Sequence, residues 1–137
     1  MSKPPTHRAR KRFGQNFLRD EAVIDGIAAA IAPRATDHLV EIGPGQGALT
    51  EGLVGGCGQL DVVELDRDLV PGLLAAFSLH PHFTLHQADA LTFDFSSLVK
   101  GDEQLRVVGN LPYNISTPLI FKLLENAAII KDMHFML

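Results

Sequence analysis

His38-Leu39-Val40-Glu41-Ile42-Gly43-Pro44-Gly45-Gln46-Gly47-Ala48-Leu49 is the stretch on which the reading of this 137-residue chain turns. Its first five residues are mostly apolar, as in a strand buried on both faces. Three glycines in the next five break that run, and Leu49, Leu53 and Val54 then recur at helical spacing. A buried strand that enters a glycine turn and leaves as a helix is the opening of a βαβ unit. Gly43, Gly45 and Ala48 satisfy the G-x-G-x-x-G/A spacing, in which missing side chains let the backbone come close to a ligand.

The same alternation continues outward. Gln59 to Leu65 reads as a second strand, after which Asp66 caps a helix with Pro71 near its first turn and Leu69, Leu73, Leu74 and Phe77 facing inward. Phe83 to Gln87 is a third strand and Leu105 to Val108 a fourth. Ser116 or Thr117 caps a helix with Pro118 at its first position and Leu119, Ile120, Leu123 and Leu124 within it. Met133 to Leu137 begins a fifth strand. Upstream, Asp20 caps a mostly core-facing helix carrying Val23, Ile24, Ile27 and Ile31, which ends before Pro33. Strands alternating with helices imply an α/β fold, a doubly wound and mostly parallel sheet with right-handed crossovers.

Composition narrows the class. The chain is 46% hydrophobic and 20% charged, enough apolar material for one core, and no apolar run approaches membrane-spanning length. Cys57, the single cysteine, lies among Gly55, Gly56 and Gly58 with no visible His partner, and reads as a small turn-lining residue. Charge is split along the chain. Lys3, Arg8, Arg10, Lys11 and Arg12 give residues 1–12 a charge of +5, so residues 13–137 set the other 7 basic residues against all 16 acidic ones, −9. A basic flexible arm on an acidic domain suits either phosphate contact or a solubilising tail.

On a parallel sheet ligands collect beyond the carboxyl ends of the strands. The glycine loop lies there after strand one. Glu64 stands near the end of strand two, 64 − 43 = 21 residues after Gly43, at the offset of a carboxylate that binds ribose hydroxyls. Asp89 follows strand three, where it either caps its own turn or helix or, for a nucleoside cofactor, accepts from the adenine amine. Gly109-Asn110-Leu111-Pro112-Tyr113-Asn114-Ile115-Ser116 follows strand four. There Pro112 forces Leu111 into an extended conformation, Asn110 adds a side-chain acceptor and Tyr113 adds a flat face on which an unstacked base can rest. The glycine loop and Glu64 alone also permit a nicotinamide dehydrogenase. A non-catalytic RNA-binding or assembly-checking module could use the same arm and pocket.

Phe13-Gly14-Gln15-Asn16-Phe17-Leu18, Glu41-Ile42-Gly43-Pro44-Gly45-Gln46-Gly47, Glu64-Leu65-Asp66, Asp89-Ala90-Leu91 and Asn110 to Ser116 together resemble the S-adenosylmethionine-dependent ribosomal RNA adenine dimethyltransferases. Within that family the chain is similar to the bacterial small-subunit enzymes, since the macrolide-resistance members tend to carry Ile where Leu111 stands. The resemblance implies a Rossmann-like methyltransferase sheet, and a division into the arm, residues 1–12, and an S-adenosylmethionine-binding catalytic domain, residues 13–137. It implies cofactor contact at Asn16, Leu18, Gly43, Glu64, Asp89 and Asn110, and target-adenine binding at Asn110, Leu111, Pro112 and Tyr113. It also implies a cytoplasmic enzyme, acting on small-subunit ribosomal RNA or the immature small ribosomal subunit, with no metal and no membrane. Family members continue through further strands and a helical RNA-binding domain. The chain, which ends in the apolar run Met133 to Leu137, is accordingly expected to be part of a longer protein, its sheet cut after the fifth strand.

The chemistry such a site would perform follows from the residues. The N6 lone pair of adenine is delocalised into the ring, and nitrogen becomes nucleophilic only when its hydrogens are held out of plane. The Asn110 side-chain oxygen and the Leu111 carbonyl are the expected acceptors, with Tyr113 stacked on the ring. In-line displacement on a sulfonium methyl then needs no covalent nucleophile, and orientation supplies up to roughly 7–11 kcal/mol of the acceleration.

Overall fold

The computed structural model describes residues 20–136. The basic arm and the Phe13 to Leu18 segment, with Asn16 and Leu18, lie outside the described residues, as does Leu137. Strands β1 (His38–Ile42), β2 (Gln59–Glu64), β3 (Phe83–Gln87), β4 (Leu105–Asn110) and β5 (Ile130–Met136) form one sheet in the order β3-β2-β1-β4-β5. Every pairing is parallel. The helices are α1 (Glu21–Ile31), α2 (Ala48–Val54), α3 (Val70–Phe77) and α4 (Tyr113–Glu125).

The two-residue period of the strands sorts their side chains onto two faces. Leu39, Leu60, Val62 and Val108 pack with Ile31, Leu49, Leu53, Leu73 and Phe77 from α1, α2 and α3. Val40, Ile42, Val63, Leu105 and Val107 pack on the other face, with Leu119 and Leu123 of α4 and with Ala90, Phe95 and Leu98. The sheet is therefore doubly wound, as its sequence implies.

Several boundaries differ from those the sequence suggests. Asp20 does cap α1, its Oδ1 accepting from the Ala22 and Val23 amides at 2.9 and 3.3 Å. Val23 itself is 45% exposed and Leu74 42% exposed, so neither belongs to its helix's inward stripe. Asp66 caps a 3-10 turn, Arg67–Leu69, and α3 begins only at Val70, with Pro71 in its first turn. The fourth helix shows the largest difference. It starts at Tyr113, not at Ser116 or Thr117, because Pro112 provides the extended N-cap and its carbonyl accepts from the Ile115 and Ser116 amides, both at 3.0 Å. Pro118 is thus inside the helix. It withholds one amide from the Asn114 carbonyl, which is tolerated where Asn114 and Pro118 are both exposed. Strand β4 also runs two residues further, to Asn110, and β5 starts three residues earlier, at Ile130.

Polar ties brace the sheet at the opposite end from the glycine loop. Buried Arg106 on β4 donates to Asp37 Oδ2 (2.8 Å), to the Ile31 carbonyl (2.6 Å) and to both oxygens of Asp132 on β5 (3.0 and 3.2 Å). His38 bonds Asp61 through Nε2 (2.5 Å) and Glu103 through Nδ1 (2.7 Å), and His86 reaches the other Asp61 oxygen at 2.7 Å. Burial works against charging His38, but the two carboxylates prevail and its pKa is raised. Cys57 is buried in the core, and burial pushes its thiol up to about 11, consistent with a packing residue. No described helix is long and apolar enough to cross a membrane.

Candidate active site

The order in which the chain adds strands to the sheet reverses between β1 and β4, and the carboxyl ends of these parallel strands open into a cavity of about 320 Å³. Gly43, Glu64, Asp89, Asn110, Leu111 and Pro112 all line it. Of the nine site residues expected from the sequence, Asn16 and Leu18 lie outside the described residues. Tyr113 is the first residue of α4, and its side chain likewise lies outside what the structure describes.

The glycine loop has the backbone its composition demands. Gly43, Gly45 and Gly47 have φ of 65°, 61° and 92°, the left-handed region that other residues enter at a cost. Gly47 is the most constrained, because a Cβ there would stand 2.7 Å from the Phe77 ring. Gly43 donates to the Val63 carbonyl at 2.9 Å, extending the β1–β2 ladder into the loop. A Cβ on Gly43 would meet the Leu111 side chain at 3.0 Å, so the loop and the Asn110 turn close on each other here.

Glu64 is fully buried at the end of β2. Its Oε1 accepts from the Gly45 amide at 3.3 Å and its Oε2 from the Asp66 amide at 2.9 Å, fixing the carboxylate against the glycine loop. Asp89 is exposed on the rim, and its Oδ1 accepts from the Leu91 amide at 2.9 Å. It therefore caps its own turn while facing the cavity. Asn110 is half-buried, paired in register with Met136 at the last step of β4. Leu111 donates its amide to the Met136 carbonyl at 3.3 Å and buries its side chain in the core against the glycine loop.

Glu41, part of the Glu41–Gly47 motif, was given no role in the site from the sequence. It is 2% exposed, lines the cavity, and lies on the same sheet face as Glu64 one strand away. Thr50 of α2 donates to its Oε1 at 2.5 Å. Burial, with a smaller push from the Glu64 charge, raises its pKa from 4.5 to about 7 despite that hydrogen bond. Its signal in the sequence was an acidic residue inside an otherwise apolar strand. Among the described residues, no group of three or more His, Cys, Asp or Glu is arranged to hold a metal ion.

A five-stranded parallel sheet whose switch-point cavity is edged by a glycine loop, the buried Glu64 carboxylate and the Asn110–Pro112 turn is a Rossmann-like α/β domain. Comparison with known proteins specifies which kind. The family model for ribosomal RNA adenine dimethylase matches residues 6–137, and the chain belongs to that family. It is 66% identical, over its whole length, to 51% of the ribosomal RNA small subunit methyltransferase A of Pseudomonas aeruginosa. The chain thus spans about half the length of the curated relatives it matches. Among solved structures, the 23S rRNA methyltransferase ErmE superposes with a TM-score of 0.75 at 33% identity, covering 89% of this chain and 48% of that one. A dimethyladenosine transferase from Plasmodium falciparum gives 0.73 at 26% identity, covering 88% and 43%.

Proposed function

We propose that this chain carries the cofactor and target-base sites of an enzyme that transfers methyl groups from S-adenosylmethionine to N6 of adenosines in small-subunit ribosomal RNA, dimethylating them during assembly of the immature subunit in the cytoplasm. The observation that carries the reading is the convergence of Gly43, Glu64, Asp89 and the Asn110–Pro112 turn on one cavity.

The residues fit the cofactor. Buried Glu64 suits a ribose diol, because both its oxygens are already aimed by backbone amides. Asp89 on the rim suits the adenine amine, and the side-chain-free loop at Gly43 and Gly45 admits the amino-acid part. S-adenosylmethionine supplies an electrophilic methyl group on a sulfonium. The protein's part is orientation: Asn110 Oδ1 and the Leu111 carbonyl accept the two N6 hydrogens, draw them out of the ring plane and localise the lone pair. Pro112 holds this turn extended and starts α4 immediately after it, and the role assigned to Tyr113 is to stack on the base.

Family membership favours this over the nicotinamide dehydrogenase that the glycine loop also permits. The test is transfer of labelled methyl from S-adenosylmethionine to unmodified small-subunit RNA. Incorporation at adenine N6 is expected. Cofactor binding without incorporation would point to an assembly module, and NAD binding without S-adenosylmethionine binding would point to the dehydrogenase.

A further inference from the structure

Lys122 lies on α4, away from the cavity, yet its ammonium is spent on the loop that follows Asp89. Nζ donates to the Ala90 carbonyl at 3.0 Å and to the Phe93 carbonyl, and stands 5.1 Å from the centre of the Phe95 ring. Its bonded partners are 32 and 29 residues away in sequence. One flexible cation thus joins the segment after β3 to the helix that begins at Tyr113.

The consequence runs through the turn at Asp89. Asp89 Oδ1 is committed to the Leu91 amide and its carbonyl accepts from the Thr92 amide at 3.0 Å, so the carboxylate can stand only where this turn puts it. The turn is fixed in place where Lys122 takes the Ala90 carbonyl. We infer that Lys122 is a positioning residue for the cofactor: it sets Asp89, at the adenine end, relative to the Asn110–Tyr113 end where the base is held. The effect on the cofactor rests on the functional reading above, whereas the effect on the loop does not.

Two measurements separate these. In the unliganded protein, Lys122→Met should speed hydrogen exchange at the Leu91 and Thr92 amides about tenfold, the scale of a single charge-assisted bond, with strand amides at Val62 and Val107 unchanged. Unchanged exchange at Leu91 and Thr92 would overturn the inference whatever the cofactor proves to be. For S-adenosylhomocysteine, calorimetry well below the melting temperature should show Kd weakened about tenfold in Lys122→Met and largely restored in Lys122→Arg. The Lys122→Met effect should shrink to less than about twofold when introduced into Asp89→Asn, since both act at one contact. Full additivity of the two substitutions would also overturn it. Failure of the unaltered protein to bind S-adenosylhomocysteine would count against the proposed cofactor, leaving the exchange result to decide on Lys122.

Discussion

Replacing Glu41 by Gln should make the protein's stability less dependent on pH, in a direction fixed by burial. Glu41 is buried at the inner wall of the cavity, held by Thr50 of α2, and its folded pKa of about 7 is above the 4.5 of a solvated glutamate. A raised folded pKa means that its contribution is fully present below the unfolded value and is lost as pH rises through the folded one. Between about pH 4.5 and 7 the unfolded chain has released this proton while the folded chain retains it. At roughly 1.4 kcal/mol per pKa unit, the wild type loses on the order of 3 kcal/mol across that window through this group alone. Gln keeps the oxygen that accepts from Thr50 and never ionises. The stability difference between Glu41→Gln and wild type should therefore grow in favour of the variant by on the order of 3 kcal/mol from pH 4.5 to 7.5. Urea unfolding of both proteins at several pH values in that range, without cofactor, measures it, and titrating groups that do not interact with Glu41 cancel in the difference. A difference that stays flat with pH would refute the reasoning, because it would mean that water reaches Glu41.

The remaining predictions concern the site and the arm. Asn110→Ala should lower methyl transfer by ~10²–10³ with a smaller effect on cofactor affinity, as expected for an acceptor needed most when nitrogen changes geometry; unchanged turnover would remove that role. Tyr113→Phe should keep more activity than Tyr113→Ala, and equal loss in both would assign the work to the hydroxyl. Gly47→Ala should destabilise the protein by about 1–3 kcal/mol or more, since φ of 92° and the Phe77 ring both oppose a Cβ, and an unchanged denaturation midpoint would contradict that geometry. Neutralising Arg8, Arg10, Lys11 and Arg12 should weaken RNA binding and reduce its salt slope by roughly 0.7–0.9 for each phosphate the arm no longer neutralises, with cofactor affinity unchanged; an unaltered slope would make the arm a solubilising tail.

What could be read from the sequence was what depends on near neighbours. The strand His38–Ile42, the left-handed glycines after it and the Asp20 cap of α1 are each settled by a few adjacent residues, through φ preference, a two-residue period or a side chain reaching its own helix. The rim followed from the same logic, because a parallel sheet puts the end of every strand on one side, and Glu64, Asp89 and Asn110 needed only to stand at or just past the ends of theirs. Tertiary structure decided the rest. The Ser-Thr-Pro signal at Ser116 to Pro118 is a good local cap, but Leu111 buried in the core and the Pro112 carbonyl start the helix earlier. Whether the Glu41 carboxylate meets water depends on α2 lying over it, and whether Lys122 is a surface cation or a link to the Asp89 loop depends on two carbonyls about 30 residues away. Burial and long-range hydrogen bonding belong to the packed chain as a whole, and no window of sequence contains them.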